Sequence, residues 1–163
     1  KWTWATRALI NLHKMGYKLV NMEDFDYQSF SQNGKMYLIK KFGDKAAHQQ
    51  AVHSDIEKEM IDAKEFIKIF GNDFILPGVK DIKKFIDQGY LVGCNINAET
   101  LNGNLGYCGH FVLIIGYNQN NILLHDPGAP PYPNRKVSIR DFTTAWAYPR
   151  HDNQNLTAFK YLK

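Results

Sequence analysis

Cysteine is scarce in this chain of 163 residues, which contains only Cys94 and Cys108. Two cysteines cannot form the dense disulfide framework that stabilises many small secreted proteins. Each lies in a stretch typical of a strand, so we expect both to be small, buried hydrophobic residues. The low cysteine content favours a reducing compartment, and we expect the protein to be cytoplasmic.

Long apolar runs are also missing, because no segment approaches the roughly 20 residues that a membrane-spanning helix needs. We therefore expect no membrane span. Internal repeats and low-complexity segments are absent too, and the length suits a single domain over 1–163. The sequence begins at Lys1 and has no signal-peptide pattern, so we expect a chain that was processed, trimmed or taken from a longer gene product.

A concentrated positive charge is lacking as well, although the net charge is +4 and the pI is about 9.0. The lysines alternate with acidic residues, as in 56–59 and 62–65. Proteins that bind nucleic acid usually gather their basic residues on one face. We expect no nucleic-acid partner, and a basic nucleic-acid-associated domain is a rival interpretation that the pI alone favours.

The apolar residues change their spacing along the chain, from helical in 1–89 to extended in 90–163. Helices are predicted over 4–15, in pieces between 25 and 53 with breaks at 33–34 and 42–44, over 54–70, between 79 and 88, and after a cap at Ser138, and glycines end several of them. Ser54 and Glu57 are predicted to form a capping box at the start of the helix over 54–70. Strands are predicted over 17–22, 90–96, 109–117, 122–125 and 156–162. The continuous apolar run of 109–117 indicates a strand that is covered on both faces. Helices followed by a mostly antiparallel sheet make an α+β fold.

A histidine and an aspartate mark the two ends of a predicted hairpin. His110 follows Gly109 at the start of an apolar strand, and Asp126 ends the next strand, sixteen residues later. A carboxylate beside an imidazole fixes its tautomer and stabilises its protonated form, as a base beside a nucleophile requires. A tight turn at 119–120 would place Asp126 across from Leu113, so a bulge is needed to bring it near His110.

Two loops flank this pair in the sequence. Residues 97–106 are rich in Asn and Gly and precede His110, while 127–134 are stiffened by proline and follow Asp126. We expect Asn97, Asn102 and Tyr107 to contact substrate at the border of a cleft.

The pattern allows other roles for these residues. A buried His–Asp pair can simply stabilise a sheet. Cys108 lies two positions before His110 and could act as a nucleophile, although little room would remain for a substrate carbonyl. Cys108, His110 and Asp126 could together bind a metal ion, but they lack the usual ligand-pair spacing. We expect neither a metal site nor a cofactor.

The segment Gly109-His110-Phe111-Val112 through Asp126-Pro127 resembles the C39-like peptidases, a bacterial branch of the papain-like cysteine peptidases. Further similarities cover nearly all of the chain: Trp2-Thr3-Trp4 with its helix and 16–18, 81–90, 133–137, and Phe142 with 145–146. The resemblance implies a papain-like fold and a Cys-His-Asp triad that hydrolyses peptide bonds. It makes His110 the general base and Asp126 the acid that orients it, with a peptide or protein as substrate.

The family also has a cysteine at the start of an early helix and a glutamine shortly before it, and neither has a counterpart here. Gln28 and the glutamines after it come too late in the sequence. We therefore expect an N-terminally incomplete peptidase domain whose nucleophile comes from a preceding segment or a partner, and whose isolated chain is inert. The alternative is an inactive C39-like module that binds peptides without cutting them.

Overall fold

The computed structural model describes residues 4–161, which divide into two compact units. A helical unit runs up to Tyr17 and resumes over Phe25–Asp73, while a sheet unit contains Lys18–Asp24 and continues from Phe74. Residues 74–89, which the sequence assigned to the mainly helical part, belong to the sheet unit. The single domain over 1–163 stays a prediction.

The helical unit follows the predicted succession of short helices. They are α1 (Ala5–Lys14), α2 (Tyr27–Asn33), α3 (Lys35–Phe42), α4 (Asp44–His53) and α5 (Ile56–Phe70). The predicted breaks at Gly34 and Gly43 are confirmed. Gly34 has a φ of +46°, and a Cβ there would lie 2.6 Å from Met60 Sδ, so this turn admits no side chain without displacing the methionine.

The start of α5 differs from its prediction by one residue. The sequence suggested a capping box from Ser54 to Glu57, but the carboxylate of Asp55 accepts the backbone N–H of Lys58 at 3.1 Å. The Ser54 hydroxyl instead accepts Trp4 Nε1–H at 2.9 Å. The predicted cap is therefore wrong, because the serine is used to hold α1 rather than to begin α5.

The sheet unit contains six strands in the spatial order β1-β6-β2-β3-β4-β5. They are β1 (Tyr17–Glu23), β2 (Leu91–Asn97), β3 (Gly109–Tyr117), β4 (Asn121–Asp126), β5 (Tyr132–Ser138) and β6 (Asn155–Tyr161). The β2–β3, β2–β6, β3–β4 and β4–β5 pairs are antiparallel. The helices of this unit are α6 (Val79–Asp87), α7 (Ala98–Leu101) and α8 (Ile139–Trp146). The α+β class predicted from the sequence is confirmed.

One face of the sheet carries the core of this unit. The apolar strand residues with no exposed surface are Val92, Cys94, Val112, Ile114, Ile122, Leu124, Leu156 and Ala158. Phe142 and Trp146 of α8 and Ile82 of α6 pack in the same cluster. The apolar run of β3 suggested burial on both faces, but Phe111 on the other face is 46% exposed, so that expectation is wrong.

Two elements lie where the sequence predicted only loops. Helix α7 begins directly after Asn97, whose side-chain oxygen accepts the backbone N–H of Glu99 at 3.2 Å. Strand β5 begins at Tyr132, inside the proline-rich segment. Both elements border the His110–Asp126 hairpin. Within residues 4–161, no helix has both the length and the apolar character needed to cross a bilayer.

The cap of α8 provides a test of the sheet unit's stability. Ser138 Oγ accepts the backbone N–H of Asp141 at 3.0 Å, as the sequence predicted. We expect Ser138→Ala to lower the free energy of unfolding by about 1 kcal/mol, measured by urea denaturation, because a helix N–H loses its partner. Thr144→Ala, later on the same helix, is the control. Equal losses in the two variants would contradict this role of Ser138.

Candidate functional site

The predicted pairing of His110 with Asp126 is confirmed. His110 Nε2 and Asp126 Oδ1 are 2.5 Å apart, a short hydrogen-bonding distance. The two side chains are 23% and 12% exposed, so the pair is largely shielded from water while the imidazole keeps an open side. Within residues 4–161, Nδ1 of His110 has no hydrogen-bond partner.

A bulge in β3 brings the two residues to the same face of the sheet. Near the turn, Tyr117 pairs with Ile122 and Gly116 with Leu123, but beyond Ile115 the register shifts by one, and Ile114 pairs with Leu124. Continued toward His110, the shifted register places Asp126 across from Val112. His110 is two residues from Val112 and therefore shares its face, diagonally opposite Asp126. The sequence predicted that such a bulge was needed, and the structure contains it.

The pair lies at the end of the core face. His110 continues the row of Val112 and Ile114 on β3, and Asp126 continues the row of Ile122 and Leu124 on β4. Side chains alternate between the two faces of a strand, so His110 and Asp126 lie on the core face, next to the last buried residue of each row. His125 belongs to the other face, and its Nδ1 accepts the backbone N–H of Asn134 at 3.2 Å.

Three donors surround the carboxylate of Asp126. Oδ1 accepts the backbone N–H of Gly128 at 3.0 Å in addition to its bond with His110, and Oδ2 accepts an N–H of Arg135 at 3.2 Å. Burial by itself would raise the pKa of Asp126. The hydrogen bonds from Gly128, His110 and Arg135 outweigh that effect and lower the pKa below its ordinary value. The ionised carboxylate therefore contributes stability at neutral pH, and this contribution is lost as the pH falls through the folded-state pKa.

Asn97 organises the loop before His110. It has no exposed surface. Its Oδ1 accepts the backbone N–H of Cys108 at 2.8 Å, and its Nδ2 donates to Thr100 Oγ1 at 2.6 Å and to the carbonyl of Gly106 at 2.8 Å. These bonds use both ends of the amide and close the loop into a fixed shape, so Asn97 supports the loop from within. Its contact with substrate stays a prediction.

The other two predicted substrate contacts have exposed side chains. Asn102 lies just after α7, and its Oδ1 accepts an N–H of Arg135 at 2.8 Å. Tyr107 is 66% exposed and stacks on Tyr148, with ring centroids 6.0 Å apart. Its hydroxyl lies over Gly109, where an added Cβ would be 3.0 Å away. Tyr107 is therefore near His110 by way of Gly109, and Asn102 is linked to Asp126 by way of Arg135. Their contact with substrate stays a prediction.

The two cysteines have different environments. Cys94 is fully buried, as expected, and burial raises the pKa of its thiol well above the ordinary value. Cys108 is exposed and precedes β3, so the prediction that it is buried is wrong. Within residues 4–161, no hydrogen bond joins the Cys108 thiol to His110, and no set of three His, Cys, Asp or Glu side chains is arranged to hold a metal ion. The alternative metal site at Cys108, His110 and Asp126 is therefore not formed.

Sequence reasoning missed Arg135 and Gly128 as parts of this site. Both lie in or next to the proline-rich segment, which the sequence predicts to be a loop. Arg135 is paired with Leu124 and is two residues from the buried Val137, so it faces the core side of β5. The available signal was that Arg135 lies two positions before an apolar residue, Val137, and so shares its face in a strand. This signal could be used only if 132–138 was recognised as a strand.

Comparison with known proteins gives a structural likeness. No protein-family model and no curated protein matches the chain. A solved structure from Bacillus anthracis, provisionally described as a C39-like peptidase, matches with 20% sequence identity and a TM-score of 0.43. The match covers 66% of this chain and 60% of that one.

Proposed function

We propose that this chain carries the base and the acid of a C39-like, papain-fold cysteine peptidase site. In this proposal His110 is the general base, Asp126 orients it, and the thiol comes from a segment or partner outside the described residues. The observation that carries the proposal is the 2.5 Å bond between His110 Nε2 and Asp126 Oδ1. The substrate would be a peptide or protein.

The two nitrogens of the His110 imidazole have different roles in this proposal. Because Nε2 donates its proton to a carboxylate that is kept ionised, Nδ1 is the nitrogen that can accept a proton. A thiol placed against Nδ1 would transfer its proton there and attack the substrate carbonyl as a thiolate. His110 would then return that proton to the leaving amine. Water, deprotonated by the same nitrogen, would hydrolyse the thioester.

The surroundings of Asp126 suit this cycle. When His110 is protonated, its positive charge lies against the carboxylate, which is partly buried and held by Gly128 and Arg135. Interactions between charges are stronger away from bulk water, so the pair can stabilise the imidazolium without large movements of solvent. A structural His–Asp bond needs no unbonded imidazole nitrogen, whereas Nδ1 of His110 has no hydrogen-bond partner among the described residues.

The test measures cleavage of a fluorescence-quenched peptide library by the natural polypeptide that contains this sequence. We expect turnover that stops after treatment with iodoacetamide, because the thiolate is alkylated. The 163-residue chain alone should show no turnover, and Cys108→Ala in the natural polypeptide should leave activity unchanged. We keep the cytoplasm as the proposed location, where the thiol would stay reduced.

Activity that survives alkylation would refute the proposal. Peptide binding without any turnover would refute it too, in favour of the inactive peptide-binding module. Loss of activity in Cys108→Ala would show instead that the nucleophile lies within this chain.

A further inference from the structure

We infer that Arg135 is a positioning residue, which fixes the carboxylate of Asp126 and fastens the loop after α7 to the same point. This inference rests on the proposed function and deepens it. The guanidinium of Arg135 has two sets of partners.

The contacts of Arg135 join two parts of the sheet unit. One terminal nitrogen donates to Asp126 Oδ2 at 3.2 Å. The other donates to the carbonyl of Leu101 at 3.1 Å and to Asn102 Oδ1 at 2.8 Å. The side chain is 17% exposed, so these bonds are made largely away from water. Because a guanidinium presents its N–H groups in a rigid plane, fixing one terminal nitrogen also orients the other.

The two carboxylate oxygens of Asp126 have separate partners. Oδ1 receives His110 and Gly128, and Oδ2 receives Arg135. Turning the carboxylate partway about its Cβ–Cγ bond would weaken hydrogen bonds on both sides. Arg135 therefore holds the carboxylate plane in the orientation that directs one oxygen at His110, and its positive charge favours the ionised form. In the part of the chain that the structure describes, the titratable or charged groups within hydrogen-bonding distance of Asp126 are His110 from β3 and Arg135 from β5.

The same guanidinium holds the loop that precedes His110. The carbonyl of Leu101 is the last of the one-turn helix α7, and Asn102 follows it. The loop continues to Leu105, which is fully exposed, and to Tyr107, which is 66% exposed. Asn97 closes this loop at its base, and Arg135 ties its beginning to Asp126. The loop that we expect to border a cleft and the acid of the site are therefore anchored by one residue.

The experiment uses the whole 163-residue chain and needs no peptidase activity. We expect Arg135→Met to raise the pKa of Asp126, measured by carbon-13 NMR of its carboxyl group, because the carboxylate loses a hydrogen bond from a positively charged neighbour. In the same variant, the amides of 99–106 should exchange with solvent faster. Arg135→Lys should keep the pKa low, since the charge remains, while the loop amides still exchange faster.

Arg140→Met is the matched control, because Arg140 is exposed on α8. It should change neither measurement. An unchanged pKa of Asp126 in a folded Arg135→Met variant would refute the inference, as would an equal shift in the control. If Arg135→Met does not fold, Asn102→Ala decides the part that concerns the loop: faster exchange of 99–106 with an unchanged Asp126 pKa supports it, and unchanged exchange refutes it.

These measurements separate the inference from the proposed function. A natural polypeptide without peptidase activity would refute the peptidase proposal and leave the NMR and exchange results standing. An unaltered Asp126 pKa would refute the role of Arg135 whatever the peptidase assay shows.

Discussion

Replacing His110 with alanine should lower kcat/KM of the natural polypeptide by about 10² to 10⁴, the range that general acid–base catalysis contributes. The loss should fall mainly on kcat, because the imidazole acts on protons that move during the reaction rather than on the bound peptide. The measurement is cleavage of the quenched peptide library at several substrate concentrations. Circular dichroism of the variant shows whether the fold is retained.

His125→Ala is the matched control for this variant. His125 lies on the neighbouring position of β4 but faces the other side of the sheet, where it accepts the backbone N–H of Asn134. Like His110→Ala, the His125→Ala variant loses one imidazole and one hydrogen bond of that imidazole. We expect its kcat/KM to stay close to that of the unmodified protein. A comparable fall in both variants would mean that the first reports a general disturbance of the hairpin and not a base.

Asp126→Asn should lower kcat by a similar factor, about 10² to 10⁴, although asparagine has nearly the same shape. Every group that contacts this carboxylate in the described structure is a donor: Gly128 N–H, Arg135 and His110 Nε2–H. An asparagine must turn its own NH₂ toward one of them. If the NH₂ faces His110, Nε2 becomes the acceptor and the proton moves to Nδ1, which can then no longer act as a base. If it faces Arg135, two donors oppose each other and the guanidinium is displaced.

The tautomer of His110 gives a direct measure of this change. Nitrogen-15 NMR of the 163-residue chain should show Nε2 protonated in the unmodified protein and a different proton distribution in Asp126→Asn. Asp152→Asn is the control, because Asp152 pairs with Arg150 at 2.5 Å at the surface. Its activity and the His110 spectrum should not change. A normal kcat in Asp126→Asn would contradict the orienting role of the carboxylate.

The sequence predicted the elements of this site better than their arrangement. Periodic apolar positions and glycine stops predicted most helices and strands, because local spacing decides which face of a segment is buried. His110 and Asp126 were found from their places at the two ends of a hairpin. The need for a bulge followed from counting residues, since a shift of one position reverses the face of every side chain.

The remaining features depend on contacts between distant parts of the chain. Asp55 and Ser54 are both good capping residues, and only the bond from Trp4 to Ser54 decides which of them begins α5. The position of Arg135 is set by β5, a strand that the sequence did not predict because it begins inside a proline-rich segment. The position of Asn97 inside the loop follows from its bonds to Cys108 and Gly106, which no local pattern specifies.

The extra residue Ile115 has a consequence for recognising relatives of this protein. Its insertion accounts for the sixteen-residue separation of His110 and Asp126, because Ile114 and Gly116 pair with the adjacent residues Leu124 and Leu123. Deleting Ile115 would leave Ile114 opposite Leu124, so His110 and Asp126 would still share a face. The pairing of β3 with β4 would then be continuous, without a bulge. Evolution can therefore shorten this hairpin by one residue without separating the two side chains, and a search pattern that fixes their spacing would overlook such proteins.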